Sequence, residues 1–479
     1  MFAHARIATT VFLWAALTAV SYRHAAADGT PVVFSNADEV ELGRAERATI
    51  LEQFGGEIPA AELRRYVESL GQLIARGVER KDVTFSFTVL DTPIVNAFAT
   101  VGGYVYVTRG LVTLADSEAE LAAMLAHALA HQARRDGVNA VAEVRLAGLR
   151  AATAQGPAEI GHVLAAGALV SFSREQEIDV DERAVRYLAR SGHDTDGLAR
   201  ILTKLRRDVE LEAVLRDGRP EKTDPFHFAA QHPLSNDRIE RAARLAVNLA
   251  SRDPLLARDA FLDKIDGLAY GDAPGRGFVR GRVFADPIRR IQFEAPPGFR
   301  PFITADGVTA FGPLGARMVF DSAHDAWGLS MPRYIPEEWA RGVAIGKVEP
   351  LTVNGMAAAT GIARGRTDAG AADVRLVAIR AAPDLIYRFA FATPPTLTAS
   401  LSAELRRTAY SFRPLTETDA RAFKPLRLRV HTVGPGDTVD RLAARLPFDD
   451  YRHERFEILN GLGRGAGLAP SSRVKIVTE

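Results

Sequence analysis

The chain contains no cysteine. Disulfides, thiolate metal sites and cysteine nucleophiles are excluded, so any metal must be held by histidine and carboxylate. It also has no surplus of charge of one sign, with 60 Lys and Arg against 59 Asp and Glu. A phosphate backbone is gripped by an excess of cations, so the balance disfavours nucleic-acid binding as the main task, and no nucleic-acid partner is expected. Long apolar runs are missing as well. The stretch from Ile7 to Val20 has 14 residues, fewer than the roughly 20 that an ordinary membrane span needs. No transmembrane helix is expected in the mature chain.

What remains is ordinary folded protein: 479 residues, 47% apolar and 25% charged. At roughly 150 residues per domain, that length suggests about three domains. Residues 1–27 read as a cleaved signal peptide, with Arg6, the apolar stretch and the small-residue run Ala25-Ala26-Ala27 in order. The expected location is therefore exported, in a bacterial periplasm.

Residues 28–252 are mainly helical in pattern, with one short strand at Tyr104-Val105-Tyr106-Val107. Residues 253–282, with Pro254, Pro274 and several glycines, read as a linker or short helical spacer. From 283 to 420 the period changes to two: Ile291 alternates with Phe293, and Leu385, Tyr387, Phe389 and Phe391 follow the same rule. Asn354-Gly355 marks a hairpin turn, and a helix from about Thr396 to Thr408 would cover one sheet face, giving a small α+β domain. Residues 425–479 read strand, helix, helix, strand. The fold class is thus α+β and multidomain.

The chemistry concentrates after Ser117. Ser117 and Glu120 have capping-box spacing, and Leu121, Leu125 and Leu129 form a stripe for a core. His127 and His131 are four apart, so one helix face offers two imidazoles to a zinc ion. A second helix begins at Ser173 and runs to about Arg190, with Glu177 and Asp181 four apart. Glu177 could complete a His–His–Glu site, and Asp181 is placed to accept the second N–H of an imidazole. Early-turn carboxylates also suit the helix macrodipole, which is the structural alternative for this pair.

The paired histidines, the upstream Asn96-Ala97-Phe98-Ala99-Thr100 with Gly102-Gly103, Glu177 with Asp181, and the later Gln231-His232-Pro233-Leu234 through Arg238-Ile239 together resemble metallopeptidase family 48. These are zinc peptidases of the HtpX/BepA type with a gluzincin fold, and the resemblance spans about Asn36 to Val247. It implies zinc held by His127, His131 and Glu177 with Asp181 in support. It implies that His232 and Arg238 stand beside the metal, and that polypeptides are the substrates. It further implies that the strand near Gly102–Val107 offers a backbone edge to an extended peptide.

The family's motif is His-Glu-x-x-His, and here its second position is Ala128. The glutamate takes a proton from the attacking water and hands it to the leaving amine. A methyl group does neither. Glu120 lies two turns back and Glu175 precedes the third ligand, so no carboxylate substitutes. The expectation is a metalloendopeptidase that is weak or inactive as written. The alternative is a zinc-binding pseudo-protease that serves as a chaperone or scaffold.

The final segment, with Gly434-Pro435-Gly436-Asp437-Thr438 and Leu459-Asn460-Gly461-Leu462, resembles a LysM module. That resemblance implies a βααβ fold and peptidoglycan as a partner.

Overall fold

Ser35 opens the first helix of the computed structural model, which describes residues 35–139, 172–215, 227–273, 275–304, 307–367 and 370–479. The expected signal peptide, 1–27, lies outside these residues. Ser35 and Asp38 exchange hydrogen bonds as a capping box at the start of α1 (Asn36–Gln53). In α2 (Ala61–Ala75), Leu63, Val67, Leu70 and Ile74 recur at helical spacing and are buried.

Three short strands follow: β1 (Ser86–Leu90), β2 (Ala97–Thr100) and β3 (Tyr104–Thr108). They form one sheet in the order β1-β3-β2, with β1 parallel and β2 antiparallel to β3. The sequence reading expects only one strand here. Strands β1 and β2 are buried on nearly every residue, so neither shows the in–out alternation that betrays a half-exposed strand. Gly102 and Gly103 carry the chain from β2 to β3 at φ of 79° and 91°. A Cβ on Gly102 would also stand 2.5 Å from the carbonyl oxygen of Glu39 in α1, so conformation and space both require glycine.

Helix α3 (Arg109–Leu114) leads into α4 (Glu118–Arg134). Ser117 caps α4 by accepting from the Glu120 amide, and Arg135 closes it in the left-handed conformation. Leu121, Leu125 and Leu129 are buried, and so are their neighbours from Ala119 to Gln132, which makes α4 the central helix of the core. Ser173 and Gln176 form a capping box at the start of α5 (Arg174–Arg190). Around them lie α6 (Gly197–Leu215), α7 (Phe228–Gln231) and α8 (Asn236–Leu249). Helix α9 (Arg258–Ile265) buries Phe261, Leu262 and Ile265 in the same core before β4 (Ala269–Tyr270).

A second compact unit runs from Pro274 to Lys424. Strands β5 (Phe278–Arg280), β6 (Val283–Asp286) and β7 (Ile291–Glu294) form an antiparallel sheet with β15 (Arg413–Pro414). A seven-stranded antiparallel sheet is built from β8 (Arg300–Thr304), β9 (Gly307–Phe311), β10 (Arg317–His324), β11 (Glu349–Val353), β12 (Met356–Thr367), β13 (Gly370–Ala382) and β14 (Leu385–Thr393). Its order is β11-β12-β13-β14-β10-β9-β8. Asn354-Gly355 makes the turn between β11 and β12. Short α10 (Met331–Tyr334) packs on one side of this sheet, while α11 (Thr398–Ser411) sets Leu405 and Ala409 against Val377 and Phe389. Helix α12 (Glu417–Ala422) completes the unit.

The first unit then resumes. Strand β16 (Leu426–Thr432), α13 (Val439–Ala443), α14 (Arg452–Leu459) and β17 (Arg473–Thr478) follow in that order. Strand β16 pairs antiparallel with β17 on one side and with β4 on the other. No helix of the described residues is long and apolar enough to cross a membrane.

Candidate metal centre

Helix α4 presents His127 and His131 one turn apart, and α5 presents Glu177 and Asp181 in the same way. His232 ends α7 as its cap. His127, His131, Glu177 and His232 are all buried, and each offers a ligand atom within 4.8 Å of the others. His232 Nδ1 lies 2.7 Å from Glu177 Oε1 and 3.3 Å from His127 Nε2. His131 Nε2 stands 3.6 Å from Glu177 Oε1, and His127 Nε2 stands 3.7 Å from Oε2.

Each α4 imidazole is held at its other nitrogen by a carboxylate. His127 Nδ1 is 3.1 Å from Asp181 Oδ1, and His131 Nδ1 is 2.8 Å from Asp136 Oδ2. A carboxylate there keeps the proton on Nδ1 and turns the Nε2 lone pair to the centre. Asp136 was not singled out from sequence. It lies past the end of α4, where the four-residue spacing that reveals Asp181 no longer applies.

Arg238 reaches the two carboxylates of α5 that face the cluster. Its Nε and Nη2 donate to Asp181 at 2.5 and 2.9 Å, and Nη1 stands 2.7 Å from Glu177 Oε2. It therefore pins both Glu177 and Asp181. Phe172 stacks on His131 with ring centroids 4.0 Å apart, and Phe228 stacks on His232 at 4.2 Å. Neither ring was legible in the motifs, because aromatic residues in a helical segment read simply as core.

Burial sets the protonation of the cluster. It pushes His232 down to about 3 and lowers His127, so both are neutral at pH 7. Burial also lowers His131, but its hydrogen bond to Asp136 and the nearby charge of Glu177 outweigh that and leave it raised. Burial works to raise Glu177, yet the nearby His232, His131 and Arg238 hold it well below the usual carboxylate range. Against the same burial, Arg238 and then His127 lower Asp181.

The donors fit zinc. Two imidazoles with carboxylate-backed Nδ1 atoms, a third imidazole and an ionised carboxylate make a nitrogen–oxygen set of the kind zinc takes. The Nε2 of His131 is buried with no hydrogen-bond partner among the described residues, an orphan that a cation would satisfy.

Ala128 sits beside this cluster at 1% exposure, its methyl group part of the core. Glu120 is engaged at the far end of α4, where its carboxylate accepts from the Asp116 amide at 2.9 Å. Glu175 is exposed. The expected peptide edge needs correction: β3 is paired on both sides, so the outer strand facing away from β1 is β2, Ala97–Thr100.

Residues 60–246 match peptidase family M48. The chain is 26% identical over 218 residues to a beta-barrel assembly-enhancing protease of Yersinia pestis, covering 42% of this chain and 43% of that protein. It is 24% identical over 221 residues to the protein of that name in Escherichia coli K12, covering 42% of each. It is also 28% identical over 165 residues to the mitochondrial metalloendopeptidase OMA1 of Schizosaccharomyces pombe, covering 33% of this chain and 46% of that one. The chain thus spans less than half the length of these relatives.

Proposed function

Residues 60–246 belong to peptidase family M48, and from that premise we propose that the protein is an exported zinc metalloendopeptidase of this family acting on envelope polypeptides, its hydrolysis weak or absent because Ala128 stands where the general base belongs. The observation that carries the reading is the buried group of His127, His131, Glu177 and His232 within 4.8 Å. The bacterial relatives' names, with barrel assembly and protease in them, support polypeptide clients. The signal-like residues 1–27 support export to a periplasm.

His127, His131 and Glu177 would hold the zinc, with His232 beside them. Zinc, when bound, would supply Lewis-acid polarisation of a carbonyl or of water. The chain's own residues do the rest of the work. Asp136 and Asp181 hold the imidazole protons at Nδ1, and Arg238 keeps Asp181 and Glu177 ionised and in place. Phe172 and Phe228 shield the rings from water. Strand β2 gives an extended peptide an edge to pair with.

Neither Glu120 nor Glu175 stands in for the missing base. Proton transfer is worth roughly 10²–10⁴-fold in rate, and its loss favours the second reading, a zinc-binding scaffold or chaperone without cleavage. Peptidoglycan is the partner proposed for the exposed turns of residues 434–438 and 463–471. Binding there should appear as co-sedimentation of the full chain with cell-wall sacculi.

Two measurements test the reading. Purified protein should carry about one equivalent of zinc, and less than about a tenth of an equivalent would remove the metallopeptidase assignment. On unfolded casein the chain as written should cleave little or nothing, whereas Ala128→Glu should gain roughly 10²–10⁴-fold. Robust cleavage by the unaltered chain would defeat the scaffold reading.

A further inference from the structure

Lys475 on β17 is completely buried. Its ammonium donates to the carbonyl oxygens of Thr113, Leu114 and Ala115 at 2.9, 2.8 and 2.7 Å, and pairs with Asp116 Oδ1 at 2.9 Å. Those carbonyls form the end of α3, where a helix leaves acceptors unpaired and its dipole favours a cation. Asp116 stands directly before Ser117, the residue that caps α4.

The same acid is gripped from other directions. Lys204 of α6 lies 2.8 Å from Asp116 Oδ2, and Glu120 in the first turn of α4 accepts the Asp116 amide. Gly461, just past α14 with φ of 60°, approaches so closely that a Cβ there would stand 2.6 Å from Asp116 Oδ2. Asn460 ties that turn to the lysine's own backbone. Its Oδ1 accepts from the Lys475 amide at 2.6 Å, and its Nδ2 donates to the Lys475 carbonyl at 2.9 Å.

Apolar packing alone would not need an ammonium here, and a buried cation is costly unless its partners hold it. Burial pulls Lys475 down to about 7, while Asp116 opposes that pull. The three donors of a lysine reach several acceptors at once, which a hydrocarbon side chain cannot do.

We propose that Lys475 is a positioning residue for the metal centre: with Asn460 and Gly461 it clamps the C-terminal segment onto the residues that open α4, and so sets the seating of the helix that presents His127 and His131. On this view Asn460-Gly461 is kept for a close approach inside the molecule, whether or not the segment also binds a glycan. The inference goes beyond the proposed activity and does not depend on cleavage.

The test uses the full chain with two substitutions. Lys475→Met keeps the stem and removes the donors, while Gly461→Ala keeps the lysine and pushes on Asp116. Amide hydrogen exchange, read without metal, should quicken at least about tenfold over residues 113–126 while Ala61–Ala75 keeps its protection. Zinc affinity, measured by competition with a chelator, should fall about tenfold in step. Exchange that quickens evenly through α2 and α4 would reduce Lys475 to general packing and overturn the proposal. Unchanged exchange over 113–126 would overturn it equally. If Lys475→Met does not fold, Gly461→Ala is read by the same two outcomes. If the chain takes no zinc at all, the metallopeptidase reading fails, while exchange still decides the clamp.

Discussion

Ala128 puts a methyl group between two imidazoles that could hold a metal, and carboxylates stand behind both rings. Asp136→Asn or Asp181→Asn should each weaken zinc roughly 10–100-fold, measured by chelator competition, because each removes the charge that fixes an imidazole. Unaltered affinity in both would mean that the rings need no such support. Glu46 on α1 gives a separate test at this scale. Burial pushes it up to about 7 from the usual 4.5. The folded chain then keeps a proton to about pH 7, while the unfolded chain releases it near 4.5. Stability should therefore fall as pH rises through that window, by on the order of 3 kcal/mol, and level off above it. Glu46→Gln should flatten the slope and be the more stable chain at pH 8. Urea unfolding at pH 5 and 8 measures both, and a slope that survives the substitution would assign it elsewhere.

Among the elements, what was legible followed from periodicity and caps. Ser117 and Ser173 announce α4 and α5, and the four-residue spacings on those helices place His127, His131, Glu177 and Asp181 on facing sides. Ser117→Ala should cost about 1 kcal/mol in thermal or urea unfolding, the usual loss for a cap that satisfies an amide. A cost near zero would mean that the grip on Asp116 holds the first turn without it. Periodicity failed where burial or small side chains erase it. Strands β1 and β2 are buried on both faces, so they do not alternate. In β12 the buried positions are Ala358, Ala359, Gly361 and Ala363, none with a large side chain, so a strand of 12 residues carries little apolar signal. Asp136 and the stacked Phe172 and Phe228 escaped for a further reason. Their roles come from chain segments that meet only in three dimensions, and local spacing holds no trace of such meetings.

For the whole molecule, the second unit is an insertion in the first. The chain leaves after β4 and returns at β16, and these strands are partners, Tyr270 opposite Leu426 and Ala269 opposite Arg427. Ends that meet across one strand pair need only a short connection, so a Gly/Ser linker of about six residues should replace 275–424. The shortened chain should keep full zinc stoichiometry, and loss of zinc with aggregation would show that the two units depend on each other to fold. The pairing of Tyr270 with Leu426 also gives biosynthesis an order. A ribosome that has finished β4 must add about 150 residues more before its partner strand β16 emerges. Until then the segments that carry His127, His131, Glu177 and His232 are complete, while the core they belong to still lacks Leu426, Leu428 and the apolar residues of β17.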